Sequence, residues 1–299
     1  MKKLILLILL GCIACKKEKL SVEEEILGKI LSTKVEIEKA KDKDGKSCGE
    51  VKCLFLAIWD FDGTILKGDS SEGLEENGKQ IFKGLVELGI QKGYSKEYQG
   101  EDGFSRLWKK YRELEEIDKV KAYFYLPQIF EGTEEKTMLE MSKEHFQNVL
   151  KNYYFPSSVK IMTELKKAGI ESHVISASSS FFVSASLGTL PLEEGSINGV
   201  LLEIVDGKIT RKEIYPLTYA EGKREKLQTL VNKLLEDKKA DKVYVLAGFG
   251  NSYHTDGPFL KYIATQKLDA GSPISVMING GSTPEEYKGL FKEVNFDVK

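Results

Sequence analysis

The run Leu54-Phe55-Leu56-Ala57-Ile58-Trp59 is followed at once by Asp60-Phe61-Asp62-Gly63-Thr64. A continuous apolar stretch closed by turn-forming residues describes a strand buried on both faces, the kind found in parallel sheets. Parallel strands need crossover connections, and the chain downstream supplies them. Val159 to Lys167 reads as a helix closed by Gly169, Glu171 to Ala177 as a strand, and about Gly222 to Leu235 as a helix. Lys242 to Ala247 and Ile274 to Ile278 read as further strands, and Asp206-Gly207 between Gly199–Val205 and Lys208–Thr210 signals a hairpin. This alternation predicts the α/β class with a doubly wound parallel sheet. In such a sheet ligands bind outside the carboxyl ends of the strands, so Asp60 and Asp62 are expected at the mouth of a site.

The rest of the chain divides around that strand. Its 299 residues fit one large or two modest domains, and 41% hydrophobic content suffices for a core. A net charge of −2 gives no electrostatic reason to expect nucleic acid as a partner. Residues 51–65 and 156–299 are expected to form the core domain. Residues 66–155 read as a helical insert without strands, for example over Lys79 to Leu88 and Glu134 to Leu150. Thirteen aromatic residues fall between Tyr94 and Phe155, a concentration that suits the core of a small helical domain better than a ligand pocket.

Residues 1–15 read as an export signal, with Lys2-Lys3, a short apolar run, and cysteines at its end. Cys12 and Cys15 are equal candidates for lipidation, each after a small residue as in the lipobox of bacterial lipoproteins. An exported protein held on a membrane of the bacterial cell envelope by this anchor is the expectation. Residues 16–50 are polar and Lys/Glu-rich, and read as a tether carrying a short helix. Ser21 and Glu24 have capping-box spacing, and Ile26, Leu27, Ile30 and Leu31 share one face. In an oxidising compartment Cys48 and Cys53 can pair and staple this tether to the domain.

Four clusters carry the candidate chemistry. Asp60 can attack phosphorus, and Asp62 on the same rim can give a proton to the leaving oxygen and later take one from water. The Thr64 hydroxyl can brace that loop. Ser176 ends the second core strand, where a hydroxyl can hold a phosphoryl oxygen. Lys223 opens a helix, so its ammonium and the helix N-terminus both favour an anion. The loop from Gly248 to Gly257, with Asn251 and Asp256, supplies oxygen ligands suited to Mg²⁺. His145, His173 and His254 have no metal-site spacing, and Ser178-Ser179-Ser180 reads as a helix cap.

This order and spacing resemble the haloacid dehalogenase superfamily, in its phosphatase branch, over about residues 54–280. The resemblance implies a Rossmannoid core with a helical C1-type cap, Asp60 as nucleophile and Asp62 as general acid/base. It places Thr64, Ser176, Ala177 and Lys223 around the phosphoryl group. It gives Mg²⁺ to Asp60, the Asp62 backbone carbonyl, Asn251 and Asp256. One departure is that Asn251 stands where the family usually has Asp, which weakens metal binding and leaves Asp256 to carry more of it.

The five-residue step from Asn251 to Asp256 is similar to exported phosphorylcholine phosphatases, while Ser-Ala-Ser and the Asp-Gly hairpin are shared with serine-phosphatase-like members. Either implies a small phosphorylated substrate with a cationic or zwitterionic alcohol. Asp69 and Glu72 are candidates to read its ammonium, helped by cap aromatics. Two alternatives stand beside this reading: phosphoserine phosphatase, and a non-catalytic membrane-tethered binding protein on the same fold.

Overall fold

The apolar run forms β1 (Cys53–Trp59) at the centre of a seven-stranded sheet in the order β6-β5-β4-β1-β7-β8-β9. The computed structural model describes residues 20–237 and 239–298. On one side of β1 lie β4 (Glu171–Ser179), β5 (Ile197–Val205) and the antiparallel β6 (Lys208–Ile214). On the other lie β7 (Lys242–Gly250), β8 (Ile274–Ile278) and β9 (Lys292–Val294), all parallel. The sheet thus grows outward from β1 in both directions, which makes its carboxyl end the switch point where the crossovers diverge and leave a crevice.

Alternation along β1 feeds two cores. Phe55, Ala57 and Trp59 point to a layer containing α6 (Pro156–Lys167), whereas Leu56 and Ile58 face α8 (Glu221–Glu236) and α9 (Gly257–Ala264). Trp59 is fully buried, stacks on Phe249 of β7 at 3.7 Å between ring centroids, and donates its Nε1–H to Ser172 Oγ at 3.2 Å. The last ladder bond, from Asp60 N–H to the Phe249 carbonyl at 2.8 Å, pins the strand end immediately before the functional run.

The segment expected to be a tether is in large part a structural layer. The capping box at Ser21 and Glu24 opens α1 (Val22–Lys39), which is longer than the short helix expected. Its buried face extends beyond Ile26, Leu27 and Ile30 to Thr33 and Ile37, and it packs on α6, β7 and β8. Ion pairs Lys292–Glu25 at 2.6 Å and Lys242–Asp42 at 2.5 Å lie along the same segment. Cys48 and Cys53 form a disulfide where this segment enters β1. Its polar composition concealed that one face of the helix completes the sheet's covering layer. The expected export signal, with Cys12 and Cys15, lies outside the described residues.

Between β1 and α6 the chain builds the insert. It holds α2 (Leu85–Gln91), α3 (Gly103–Ile117), α4 (Lys119–Gln128) and α5 (Glu135–Asn148). It is not wholly helical, because β2 (Gly73–Glu76) and β3 (Lys79–Lys83) form a hairpin where a helix from Lys79 was expected. The turn is Asn77-Gly78, both with positive φ (53° and 74°), the type I′ signal for a two-residue hairpin. The insert leans on the edge hairpin of the sheet, where Gln128 Nε2 donates to the Arg211 carbonyl and Glu135 N–H to the Gly207 carbonyl. The short helix α7 (Ser180–Val183) follows β4 directly. Among the described residues no helix is long and apolar enough to cross a membrane.

Ile30 tests whether α1 is a layer or a tether. With no exposed surface, its truncation to Ala should lower unfolding free energy by about 2–5 kcal/mol in urea denaturation; a tether residue would change it by a few tenths.

Candidate active site

The carboxyl ends of β1, β4 and β7 meet around a cavity of about 200 Å³ lined by Asp60, Asp62, Asp69, Tyr123, Ser176–Ser178, Lys223, Asn251, Ser252 and Thr255. All four sequence clusters therefore converge. Asp60 is buried, and its two oxygens face different donors: Lys223 Nζ at 2.5 Å from Oδ1, and Thr64 Oγ1 at 2.9 Å from Oδ2. Each carboxylate oxygen keeps lone-pair capacity after one such bond, so Asp60 is oriented without being used up.

Lys223, in the first turn of α8, is only 1% exposed and also reaches Asp256 Oδ1 at 2.6 Å. The other Asp256 oxygen accepts the backbone N–H groups of Asn251 and Ser252 at 2.9 and 3.0 Å. Asp256, expected to carry more of a metal, is instead fully buried and outside the cavity lining, with Oδ2 filled by two N–H donors and Oδ1 turned to Lys223. Its place is to fold the loop back on itself and to pair the buried ammonium.

Asp62 is held differently. Its Oδ1 accepts the Ser70 N–H at 2.6 Å, while Oδ2 accepts the hydroxyls of Ser178 at 2.6 Å and Ser70 at 3.2 Å. The Ser178–Ser180 run therefore does not act as the helix cap expected of it. No side chain caps α7, and Ser178 turns toward Asp62. Ser176 Oγ accepts the Ser178 N–H at 3.0 Å, which leaves its own hydroxyl proton free to point into the cavity beside Ala177.

Charge is unbalanced here. Asp60, Asp62, Asp69 and Asp256 gather around one ammonium. Burial first, then the Asp256 carboxylate, push Asp60 up to about 6 against the pull of Lys223. Burial, then Asp69, hold Asp62 well above the usual carboxylate range, with the Ser178 hydroxyl pulling the other way. For Lys223, burial disfavours the charge, but Asp256 and Asp60 outweigh it and raise the group above its ordinary value.

The donor set fits a hard cation. Asn251 packs against the turn after Asp62 so closely that a Cβ on Gly63, whose φ is +73°, would fall 1.9 Å from its Nδ2. Among the described residues nothing hydrogen-bonds its side-chain amide. Nor do three or more His, Cys, Asp or Glu side chains converge to hold a metal, so a cation would rely on Asp60, the Asp62 carbonyl and this amide. All are oxygen donors of the sort Mg²⁺ takes, amide flip included.

Above the cavity, the insert contributes aromatic rings and more acid. Tyr123 stacks obliquely on Tyr219 at 4.7 Å and meets Tyr111 edge-on at 6.4 Å; Tyr111 in turn stacks on Trp108 at 4.9 Å. Asp69 accepts the N–H groups of Ser71 and Glu72 at 2.7 and 2.9 Å, and burial raises its pKa. Burial and the Asp69 charge push the neighbouring Glu72 up to about 8. Tyr111 and Tyr123 were legible only as part of the aromatic excess between Tyr94 and Phe155, and Tyr219 had no signal. Ser70 and Ser71 had no signal, since a polar pair in a loop is ordinary.

The histidines lie apart from this chemistry. His145 Nε2 meets the Lys83 carbonyl at 2.8 Å, and His173 is buried near the start of β4. His254 is exposed at the rim, 3.0 Å from Lys119 Nζ of the insert.

The sequence model of haloacid dehalogenase-like hydrolases matches residues 57–261. No curated protein sequence matches the chain. Among solved structures, a protein of unknown function from Bordetella pertussis Tohama I is similar at 15% identity and a TM-score of 0.58, over 81% of this chain and 99% of that one. A functionally unknown protein from Anaerococcus prevotii DSM 20548 gives 15% identity and 0.54, over 91% and 94%. Cytosolic 5'-nucleotidase IIIB bound to cytidine gives 13% and 0.51, over 85% and 77%. At these identities the likeness is one of fold.

The Lys223 pair makes a stability prediction. Lys223→Met removes the only side-chain cation that, among the described residues, bonds Asp60 or Asp256, and should destabilise the fold by about 3–5 kcal/mol near neutral pH. Without the ammonium the burial that already raises Asp60 acts unopposed, so its carboxyl stays protonated to higher pH when folded than when unfolded and the variant regains stability as pH falls. Urea denaturation at about pH 7.5 and 5 should show a smaller deficit at the lower value; an equal deficit would contradict an ionised pair.

Proposed function

The chain belongs to the haloacid dehalogenase-like hydrolases, and from that we propose that it is a Mg²⁺-dependent phosphomonoesterase working through an aspartyl-phosphate. The observation that carries this reading is the Asp60–Lys223–Asp256 arrangement at the switch point, with Asp62 two residues from the nucleophile. Asp60 attacks phosphorus, the bond to the ester oxygen breaks, and Asp62 delivers a proton to that oxygen. Water then attacks the phosphorus of the acyl phosphate while Asp62 takes its proton, and inorganic phosphate leaves with Asp60 restored. Lys223, Ser176 Oγ and the backbone at Ala177 face the equatorial oxygens, where negative charge gathers. Thr64 keeps Asp60 from rotating away. Mg²⁺, held by Asp60, the Asp62 carbonyl and Asn251, supplies the remaining positive charge when bound.

Substrate class follows from the compartment above. Asp69 and Glu72 beside Tyr111, Tyr123 and Tyr219 make an acidic, aromatic-walled space, which favours an organic cation on the leaving alcohol, as in phosphorylcholine. Each cation–π contact contributes about 0.5–2 kcal/mol. A second reading, an ester bearing both amine and carboxylate such as phosphoserine, is favoured by Arg112, whose charge is felt at Glu72 and which bonds Glu115 at 3.1 Å. Export and a lipid anchor at Cys12 or Cys15 are part of the proposal. The Cys48–Cys53 disulfide supports an oxidising compartment.

Asp60→Asn should abolish turnover of an aryl phosphate in Mg²⁺ and leave the melting temperature near that of the parent, while Asp62→Asn should lose about 10²–10⁴-fold. Near-normal turnover by folded Asp60→Asn would rule out the covalent route, and an inactive parent would favour a binding protein. Because Asp60 must be ionised to hold a cation, calorimetric Mg²⁺ affinity should weaken below about pH 6, with proton uptake by the site opposing it. For substrate class, Asp69→Asn should raise KM for phosphorylcholine at least about tenfold more than for a neutral alkyl phosphate; equal effects would remove the cation from the reading.

A further inference from the structure

The hydroxyls around Asp62 exceed what is needed to hold a carboxylate in place. Ser178 Oγ stands 2.6 Å from Asp62 Oδ2 and itself receives the Ser71 hydroxyl at 3.1 Å. A hydroxyl has one proton, so with Asp62 ionised the order is Ser71 to Ser178 to Asp62. The backbone of Ser178 is fixed. Its N–H bonds Ser176 Oγ, and a Cβ on Gly199 of the adjoining β5 would fall 2.6 Å from its carbonyl oxygen, so the two strands meet there without room for a side chain. Ser70 and Ser71, by contrast, belong to the segment that leads from the nucleophile loop into the β2–β3 hairpin, and both are buried. The acid is therefore gripped from two sides, by the sheet through Ser178 and by the insert's entry segment through Ser70.

The two oxygens of Asp62 differ in consequence. Oδ1 faces a backbone N–H at 2.6 Å, a donor that cannot turn away, so one of its lone pairs is permanently occupied. Oδ2 faces only hydroxyls, which rotate and can accept as well as donate. The catalytic proton belongs on Oδ2. Resting on the phosphatase reading above, we infer that Ser178 is a positioning residue that aims the Oδ2 edge of Asp62 at the leaving oxygen, with Ser71 as its backing donor. In the ionised state Ser178 donates to Oδ2. When Asp62 is the acid, its Oδ2 proton points to the ester oxygen while Ser178 still donates to the remaining lone pair of Oδ2, and that proton passes to the ester oxygen as its bond to phosphorus breaks. The bond count at Asp62 is restored when water returns the proton.

Asp62 is also the base in the hydrolysis of the aspartyl-phosphate, a step both kinds of ester share, so the acid role is read from kcat/KM, which reports only the steps up to aspartyl-phosphate formation. An alkoxide needs the proton to leave, whereas an activated phenolate leaves nearly unaided. The experiment compares p-nitrophenyl phosphate with the best alkyl ester among phosphorylcholine, O-phosphoserine and glycerol phosphate, for the parent, Ser178→Ala and Ser71→Ala. Ser178→Ala should lower kcat/KM about 10–100-fold for the alkyl ester and no more than about threefold for the aryl ester. Ser71→Ala should give a smaller loss with the same preference, and it carries the test if Ser178→Ala does not fold. Equal losses on both esters, or no loss, would overturn the positioning role while leaving the phosphatase reading intact. A parent that hydrolyses neither ester overturns both, and a parent that hydrolyses only the aryl ester overturns the role, since Asp62 would then have no alkoxide to protonate.

Discussion

The buried ammonium of Lys223 is the contact on which the rest of the site depends. It is 1% exposed and lies within 2.6 Å of carboxylates on two different strand-end loops. A lone charge at that depth would be prohibitively costly, as would the two carboxylates without it. The sheet order places the ends of β1 and β7 side by side, and α8 delivers Lys223 between them. One positive charge against Asp60 and Asp256, with Asp62 and Asp69 nearby, still leaves an excess of negative charge. Burial, and after it the Asp256 carboxylate, push Asp60 up to about 6, and the excess charge makes the same pocket a natural host for a divalent cation. Catalytic potential and folding cost come from one electrostatic imbalance.

Asn251 adjusts that imbalance. An amide supplies an oxygen without a charge, so the loop contributes less attraction for a metal than a carboxylate would. Asp256 does not compensate directly, because it is fully buried behind the cavity lining, with one oxygen filled by two backbone N–H groups and the other turned to Lys223. Its effect on a cation is indirect, through the loop conformation that presses Asn251 against Gly63. The neutral ligand and the locked carboxylate together describe a site that holds its cation with modest charge.

The insert contributes more than a cover. Its hairpin entry segment carries Ser70 and Ser71 to Asp62, and its helices bring Tyr111 and Tyr123 over the cavity. Lys119 meets His254 across the rim, a further contact between insert and sheet. Chemistry and recognition are therefore built on the same junction. Movement of the insert would alter both the acid's hydrogen bonds and the walls around the leaving alcohol.

The sequence by itself determined the parts whose signals are local. A six-residue apolar run closed by turn residues fits a strand in a sheet interior, and Asp60 and Asp62 then emerge at its carboxyl end. Ser176, Lys223 and the Asn251–Asp256 loop were legible in the same way, each at a strand end or helix start whose boundaries came from hydrophobic period. The tertiary structure alone decided what depends on distant neighbours. The face of α1 reads as an amphipathic tether until the sheet offers it a surface, and β9 is only three residues long. Asn77-Gly78 was a usable turn signal that the surrounding helical pattern outweighed. Ser178 looks like a helix cap in one dimension, because any serine before a helix does. Only the approach of Ser71, 107 residues away in the chain, and of Asp62, 116 away, makes its hydroxyl part of the site. Hydrogen bonds of short reach between remote segments leave no periodicity in a sequence, and they are what the fold had to supply.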